Sequence, residues 1–157
     1  MNINDFKTTL SGGGARANHF SVQLSMPPYA TDGRNASQQA RFLCHSASMP
    51  ASNLQDIPVP YRGREVHIAG ERTFEPWTIS IYNDTDFVIR RALESWIERI
   101  SNTTQVNGLT NPRDYEMQMQ VYQLDRNGAV IKQYNFINAY PTQLSETQLS
   151  YDAGSAI

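Results

Sequence analysis

Three histidines, His19, His45 and His67, and one cysteine, Cys44, are the side chains of widest chemical range in this chain of 157 residues. Cys44 beside His45 is the only close Cys–His pair. Neighbours along a strand point to opposite faces, so these two cannot readily share a metal or form a nucleophile–base dyad. No His-Glu-x-x-His, Cys-x-x-Cys, Gly-x-Ser-x-Gly or Gly-x-Gly-x-x-Gly pattern occurs. The run Ser11-Gly12-Gly13-Gly14 raises the idea of a phosphate cradle, but no strand precedes it and no Lys-Ser/Thr pair follows. Three adjacent glycines read instead as a flexible lead-in over residues 1–17. Asp84 and Asp86 have the look of paired carboxylates. Their place at the start of a helical pattern explains them more simply as capping and dipole-compensating residues. The expectation is therefore a protein with no catalytic, metal-binding or cofactor-binding residues.

The elements that position these side chains read mostly as strands. Residues 18–25 alternate Phe20, Val22 and Leu24 against His19, Ser21 and Gln23, the pattern of a half-buried strand that Met26-Pro27-Pro28 stops. Residues 29–40 read as a polar loop, and 41–46 as a strand with Phe42 and Cys44 on one face. Residues 49–70 carry Pro50, Pro58 and Pro60 and alternate Val59, Tyr61, Val66 and Ile68 with polar residues around Arg62-Gly63. This predicts a long hairpin, edged by proline, that projects from the body toward a neighbouring subunit. Residues 77–82 predict a strand with Trp77, Ile79 and Ile81 inward. Residues 87–100 place Ile89, Ala92, Leu93, Trp96, Ile97 and Ile100 at helical spacing, with Arg90, Arg91, Glu94, Glu98 and Arg99 opposite. Met117, Met119 and Val121 alternate with Gln118, Gln120 and Tyr122, and Asn127-Gly128 marks a hairpin turn before a return strand over 129–138. A last strand is expected over 146–151, entering a turn at 152–156 that an additional strand would have to answer. That strand would come from a natural product extending beyond Ile157, or from a neighbouring subunit.

A modest hydrophobic fraction of 39%, with much of the polar remainder uncharged, suits a single β domain over 18–157 better than a helical bundle. The net charge of -2 shows no basic excess of the kind that tight duplex binding requires. One cysteine allows no intrachain disulfide. No stretch approaches the roughly 20 apolar residues that span a bilayer, and a soluble product without a membrane anchor is expected. Arg62, Arg64 and Arg72, interleaved with Glu65, Glu71 and Glu75, have the mixed-sign density of register-setting pairs across an interface. A solvated face has the same composition.

The segment Ala69-Gly70-Glu71-Arg72-Thr73-Phe74-Glu75-Pro76-Trp77-Thr78 followed by Asn83-Asp84 resembles a strand of tail tube proteins of contractile-tailed bacteriophages. Phe42-Leu43-Cys44, Met49-Pro50-Ala51 and Ile57-Pro58-Val59 upstream keep that family's order. So do Tyr140-Pro141-Thr142 and Gln148-Leu149-Ser150-Tyr151-Asp152 downstream. The resemblance covers nearly the whole chain.

It implies a mainly β fold, an antiparallel sandwich or barrel-like subunit with one flanking helix and a long projecting hairpin. Such subunits form hexameric rings that stack into a tube inside a contractile sheath, with a lumen that conducts DNA into the host. Implied partners are further copies of the chain, the sheath protein, baseplate and tail-terminator proteins, and the tape-measure protein with transient DNA in the lumen. The product would reside in the virion after assembly in the host cytoplasm. Inter-subunit contacts are expected at Ile57, Val59, Tyr61, Arg62, Arg64, Glu71 and Arg72, and a sheath-facing surface at Arg90, Glu94 and Glu98. Other readings are the tube of a phage-like secretion or bacteriocin machine, a baseplate ring, and a monomeric β-barrel binding a small molecule.

Overall fold

Short polar side chains begin the chain's first element. In the computed structural model, which describes residues 2–10, 14–102 and 108–151, Asn2 caps helix α1 (Ile3–Thr9) by accepting the Asn4 N–H at 3.3 Å. This helix buries none of its residues. Of the glycine run read as a lead-in, Ser11, Gly12 and Gly13 lie outside the described residues. The alternating segment that follows forms strand β1 (Phe20–Leu24), with Val22 and Leu24 buried.

The polar stretch expected as a loop over 29–40 departs from that reading. Much of it is helix α2 (Gly33–Leu43). Its inner face consists of Ala36 and Ala40, four apart and fully buried. Alanine contributes too little apolar bulk to reveal a helical period among Arg, Asn and Gln, yet its small size lets the helix backbone approach its neighbours closely. Ser37 ties the helix to the preceding loop, donating to Gly33 O at 2.8 Å and accepting the Met26 N–H at 3.2 Å. The following strand, β2 (Cys44–Ala47), therefore starts three residues later than expected. Phe42 belongs to the last helical turn and is 83% exposed, so it shares no strand face with Cys44.

The projecting hairpin is present as β3 (Ser52–Tyr61) and β4 (Arg64–Phe74). Tyr61 pairs with Arg64 across a two-residue turn in which Arg62 (φ 47) and Gly63 (φ 81) both take positive φ. That is the primed turn whose twist matches antiparallel strands. Working back from this turn, Pro58 and Pro60 alternate with the hydrogen-bonded pairs, so their missing N–H groups fall on the outer edge of β3. The outer edge of β4 keeps its donors. A bulge between Leu54 and Asp56 bends the hairpin opposite Gly70. A Cβ on Gly70 would stand 2.9 Å from Ile57 Cγ1 and 3.1 Å from Gln55 O, so glycine permits this close approach. Every residue of β3, and all of β4 except Gly70, is exposed.

Strand β5 (Ile79–Ile81) pairs antiparallel with β2. The expected amphipathic helix is α3 (Val88–Ile100), where Val88, Ile89, Ala92 and Trp96 are buried. Asp84 Oδ1 accepts the Val88 N–H at 3.1 Å and so satisfies one of the helix's orphan donors. A single turn, α4 (Pro112–Tyr115), has proline at its start, where no N–H is needed. Strands β6 (Met117–Leu124) and β7 (Val130–Ala139) complete a sheet in the order β1-β6-β7. Their turn places Gly128 alone at positive φ (79°), with Gly128 N–H donating to Asp125 O at 3.0 Å.

The core forms where one face of this sheet, with Val22, Leu24 and Val121, meets Ala36 and Ala40 of α2 and Val88, Ile89 and Ala92 of α3. Two helices thus cover the sheet where one was expected. The fold is mainly β, with antiparallel sheets throughout. The strand expected over 146–151 is absent: residues 141–150 have no regular secondary structure. The turn expected at 152–156 lies outside the described residues.

Candidate assembly surfaces

The side chains of widest chemical range are scattered and already occupied. The His19 ring contacts Asp125 O at 3.2 Å, the His45 ring packs edge-on against Tyr82, and His67 Nδ1 lies 2.6 Å from Asp56 Oδ2 on the arm. Cys44 Sγ donates weakly to Ser46 O at 3.6 Å. Burial pushes its thiol pKa up, against the smaller opposing effect of that hydrogen bond. A thiol held protonated is a poor nucleophile. Among the described residues, no three His, Cys, Asp or Glu side chains gather as a metal site would require. Asp84 acts as a cap, as expected.

The arm is where the geometry concentrates. Ile57 faces Ile68 and Val59 faces Val66 across β3 and β4, which puts four aliphatic side chains in a ladder on one face. Their exposures are 44%, 51%, 39% and 48%. Apolar residues on a strand pair that no body element covers form a surface whose burial awaits a partner. Tyr61 and Arg64 extend this ladder to the tip, where the Arg62 guanidinium lies 5.4 Å from the Tyr61 ring centre.

Arg72 meets Ser52 Oγ at 3.0 Å and lies 5.1 Å from the Phe74 ring centre. Glu75 accepts from Asn53 Nδ2 at 2.8 Å. These contacts brace the base of the arm within the chain. Glu71 is exposed beside them.

A joint that sequence reasoning assigned only to the core fixes the base to the body. Trp77 stacks on Phe136 of β7 at 4.3 Å between ring centres, and its indole N–H donates to Ser48 O at 2.6 Å. The arm's two ends are thereby tied to the three-stranded sheet. Inward-pointing Trp77 was legible, but its partner, some sixty residues away, was not.

On α3, Arg90 Nε donates to Glu94 Oε1 at 2.8 Å, an i,i+4 pair. Its Nη1 also reaches Ser145 O at 3.3 Å and Thr147 Oγ1 at 2.8 Å. Arg90 is thus a clasp for the C-terminal segment, while Glu94 and Glu98 remain exposed. Sheet edges complete the inventory. Among the described residues, β7 has no strand on its outer side, and β1 has none on its own. Unpaired strand edges are templates for another chain.

The sequence model of the phage tail tube protein family matches residues 15–157. Tail tube protein gp19 of Enterobacteria phage T4 is 30% identical over 150 residues, covering 94% of this chain and 85% of that protein. The same figures hold for tail tube protein gp19 of Enterobacteria phage T6. A tail tube protein of Serratia phage KSP90 is 29% identical over 156 residues, covering 96% of this chain and 86% of that one.

Proposed function

The chain belongs to the phage tail tube protein family, and from that premise we propose that it polymerises as stacked hexameric rings whose lumen conducts DNA inside a contractile sheath. The observation that carries this reading is the arm, an eleven-residue strand and its ten-residue partner exposed on both faces. A monomer gains nothing from holding four aliphatic side chains in water. Covered by a neighbouring copy, they become an interface core. The proline-free outer edge of β4 and the open edge of β7 are of similar length, 11 and 10 residues. Pairing such edges between copies joins separate small sheets into a continuous barrel and removes the aggregation hazard of each edge.

The same arrangement gives the other expected residues their parts. Ile57, Val59, Tyr61 and Arg64 lie in the contact, and Arg62 shapes the turn at its tip. Arg72 and Glu71 stiffen and flank its base. Arg90, Glu94 and Glu98 offer the sheath a mixed-charge surface on α3, one whose attraction salt would screen. Baseplate, tail-terminator and tape-measure proteins would meet the tube at its ends and within its lumen. Assembly would take place in the host cytoplasm.

Purified protein viewed by negative-stain microscopy tests the reading. Tubes with six-fold end views are expected, and a chain lacking the hairpin tip from Val59 to Val66 should stay soluble without polymerising. Single rings that never stack would indicate a baseplate component. A monodisperse monomer at all concentrations would refute self-assembly.

A further inference from the structure

Helix α1 and its C-cap carry Ile3, Phe6 and Leu10 at spacings of three and four, which stacks them on a single face. Their exposures run from 48% to 67%, and the helix buries none of its residues. Local chemistry favours the helix all the same. Asn2 caps its first turn, and the Thr8 and Thr9 hydroxyls donate to Asn4 O at 2.5 Å and Asp5 O at 2.7 Å. Yet seven residues fall well below the roughly 12–15 that hold a helix together alone in water. Such a helix persists only when its apolar stripe is covered. A lipid surface suits it poorly, since helices that lie on membranes line their polar face with lysine and arginine. This one has a single residue of each sign, Asp5 and Lys7. The stripe calls for an apolar protein surface without interruption. The outward side of β7 exposes Ile131 and Ile137, but Gln133 and Asn135 separate them. The ladder of the arm has no such break, because Ile57 and Val59 adjoin Ile68 and Val66 across the strand pair. Its length also fits. Ile3 to Leu10 covers about 10 Å at the helical rise, and Ile57 to Tyr61 covers about 13 Å at the rise of a strand.

We infer that α1 of one copy lies across the arm ladder of a neighbouring copy. The inference rests on the tube reading above and names what covers the arm within it. In the single chain the stripe and the ladder are both exposed, so neither covers the other. Nine residues separate Leu10 from Phe20. Extended, they span at most about 30 Å, which carries α1 past a domain whose radius of gyration is about 15 Å. One contact then covers two apolar faces that a lone chain leaves in water. In an assembly of identical chains each copy gives a helix to one neighbour and receives one from another, a head-to-tail contact.

A double-mutant cycle on the assembly threshold tests the contact. One variant combines Ile3→Gln, Phe6→Gln and Leu10→Gln, which keeps helix propensity while removing the stripe. A second replaces the four ladder residues by threonine, and a third carries both sets. Sedimentation gives the concentration at which tubes first appear. Each set alone should raise it by about tenfold or more. The two sets together should raise it no further than the stronger of them. Effects that multiply would overturn the inference, because the two faces would then be covered by different partners. Should either set abolish tubes, Phe6→Gln and Val59→Thr run the same cycle. A glutamine variant with an unchanged threshold would also overturn it, and loss of binding to anionic vesicles in that variant would assign the stripe to lipid instead. Tubes that still require the hairpin tip would leave the tube reading standing in that case, whereas a wild-type chain that forms no tubes ends both. The dissociated glutamine variant should melt as the wild type does; a lower melting temperature would overturn the inference by showing that α1 packs on its own body. As a second measure, Phe6→Cys chains and Val66→Cys chains, both in a Cys44→Ala background, are assembled together and treated with a short bis-maleimide. A cross-linked product that needs both chains should form in tubes and not in dissociated subunits. Its absence from tubes would overturn the contact.

Discussion

Replacing Ile57, Val59, Val66 and Ile68 together by threonine strips the apolar ladder from the arm while keeping β-branched side chains and their strand preference. The ladder's exposures run from 39% to 51%, so a covering partner removes about half of each side chain's accessible surface. Full burial of a Val or Ile contributes about 1.5–3 kcal/mol, which puts each of these half-burials near 1 kcal/mol and the ladder near 4 kcal/mol per arm. Threonine retains one methyl, so a loss of about 3 kcal/mol is the working figure. At about 1.4 kcal/mol per tenfold, the protein concentration at which tubes first appear should rise by roughly a hundredfold. Sedimentation of tubes across a dilution series measures that threshold. The melting temperature of the dissociated subunit should barely move, because β3 and most of β4 are exposed on both faces. An unchanged threshold would refute the reasoning. A large drop in subunit stability would refute it differently, by showing that the ladder packs on its own body.

Ala40→Leu should destabilise the subunit by about 1–3 kcal/mol, because a fully buried alanine on α2 leaves no room for three more carbons; chemical denaturation reads the change. Cys44, whose thiol pKa burial raises above its ordinary 9.0, should react slowly with N-ethylmaleimide at neutral pH and faster as the solution becomes alkaline. A raised acid pKa means the folded chain disfavours the thiolate. Its stabilising contribution is therefore complete below pH 9 and falls as pH rises from there through the folded value, a loss that Cys44→Ala should abolish in melting curves. Arg90→Ala should free residues 145–147 from α3, increasing cleavage there in limited proteolysis. Global stability should fall by only about 1–2 kcal/mol, since the pair with Glu94 is exposed and the two remaining bonds are ordinary ones.

What the sequence determined by itself was whatever depends on local period and local chemistry. The alternation in β1, β6 and β7, the helical stripe of α3, the Asp84 cap and the Arg62-Gly63 turn all follow from neighbours a few residues apart. The arm was legible for the same reason, since prolines and alternating aliphatics disclose a strand pair that does not fill the core. The motif running from Ala69 to Thr78 pointed to the family. Tertiary structure decided what local pattern could not encode. Helix α2 exists because Ala36 and Ala40 fit the narrow space between β1 and α3; alanines signal nothing unless the space is known. The anticipated strand over 146–151 gave way to a segment that Arg90 binds through Ser145 and Thr147, contacts made across more than fifty residues. Arg72 reaches Ser52 because the register of β3 on β4 brings that hydroxyl to it, and it lies beside Phe74 two residues along its own strand. Alternation already told which strand face is apolar; that two helices, α2 and α3, cover it depends on packing between segments far apart in the chain, which no local period encodes.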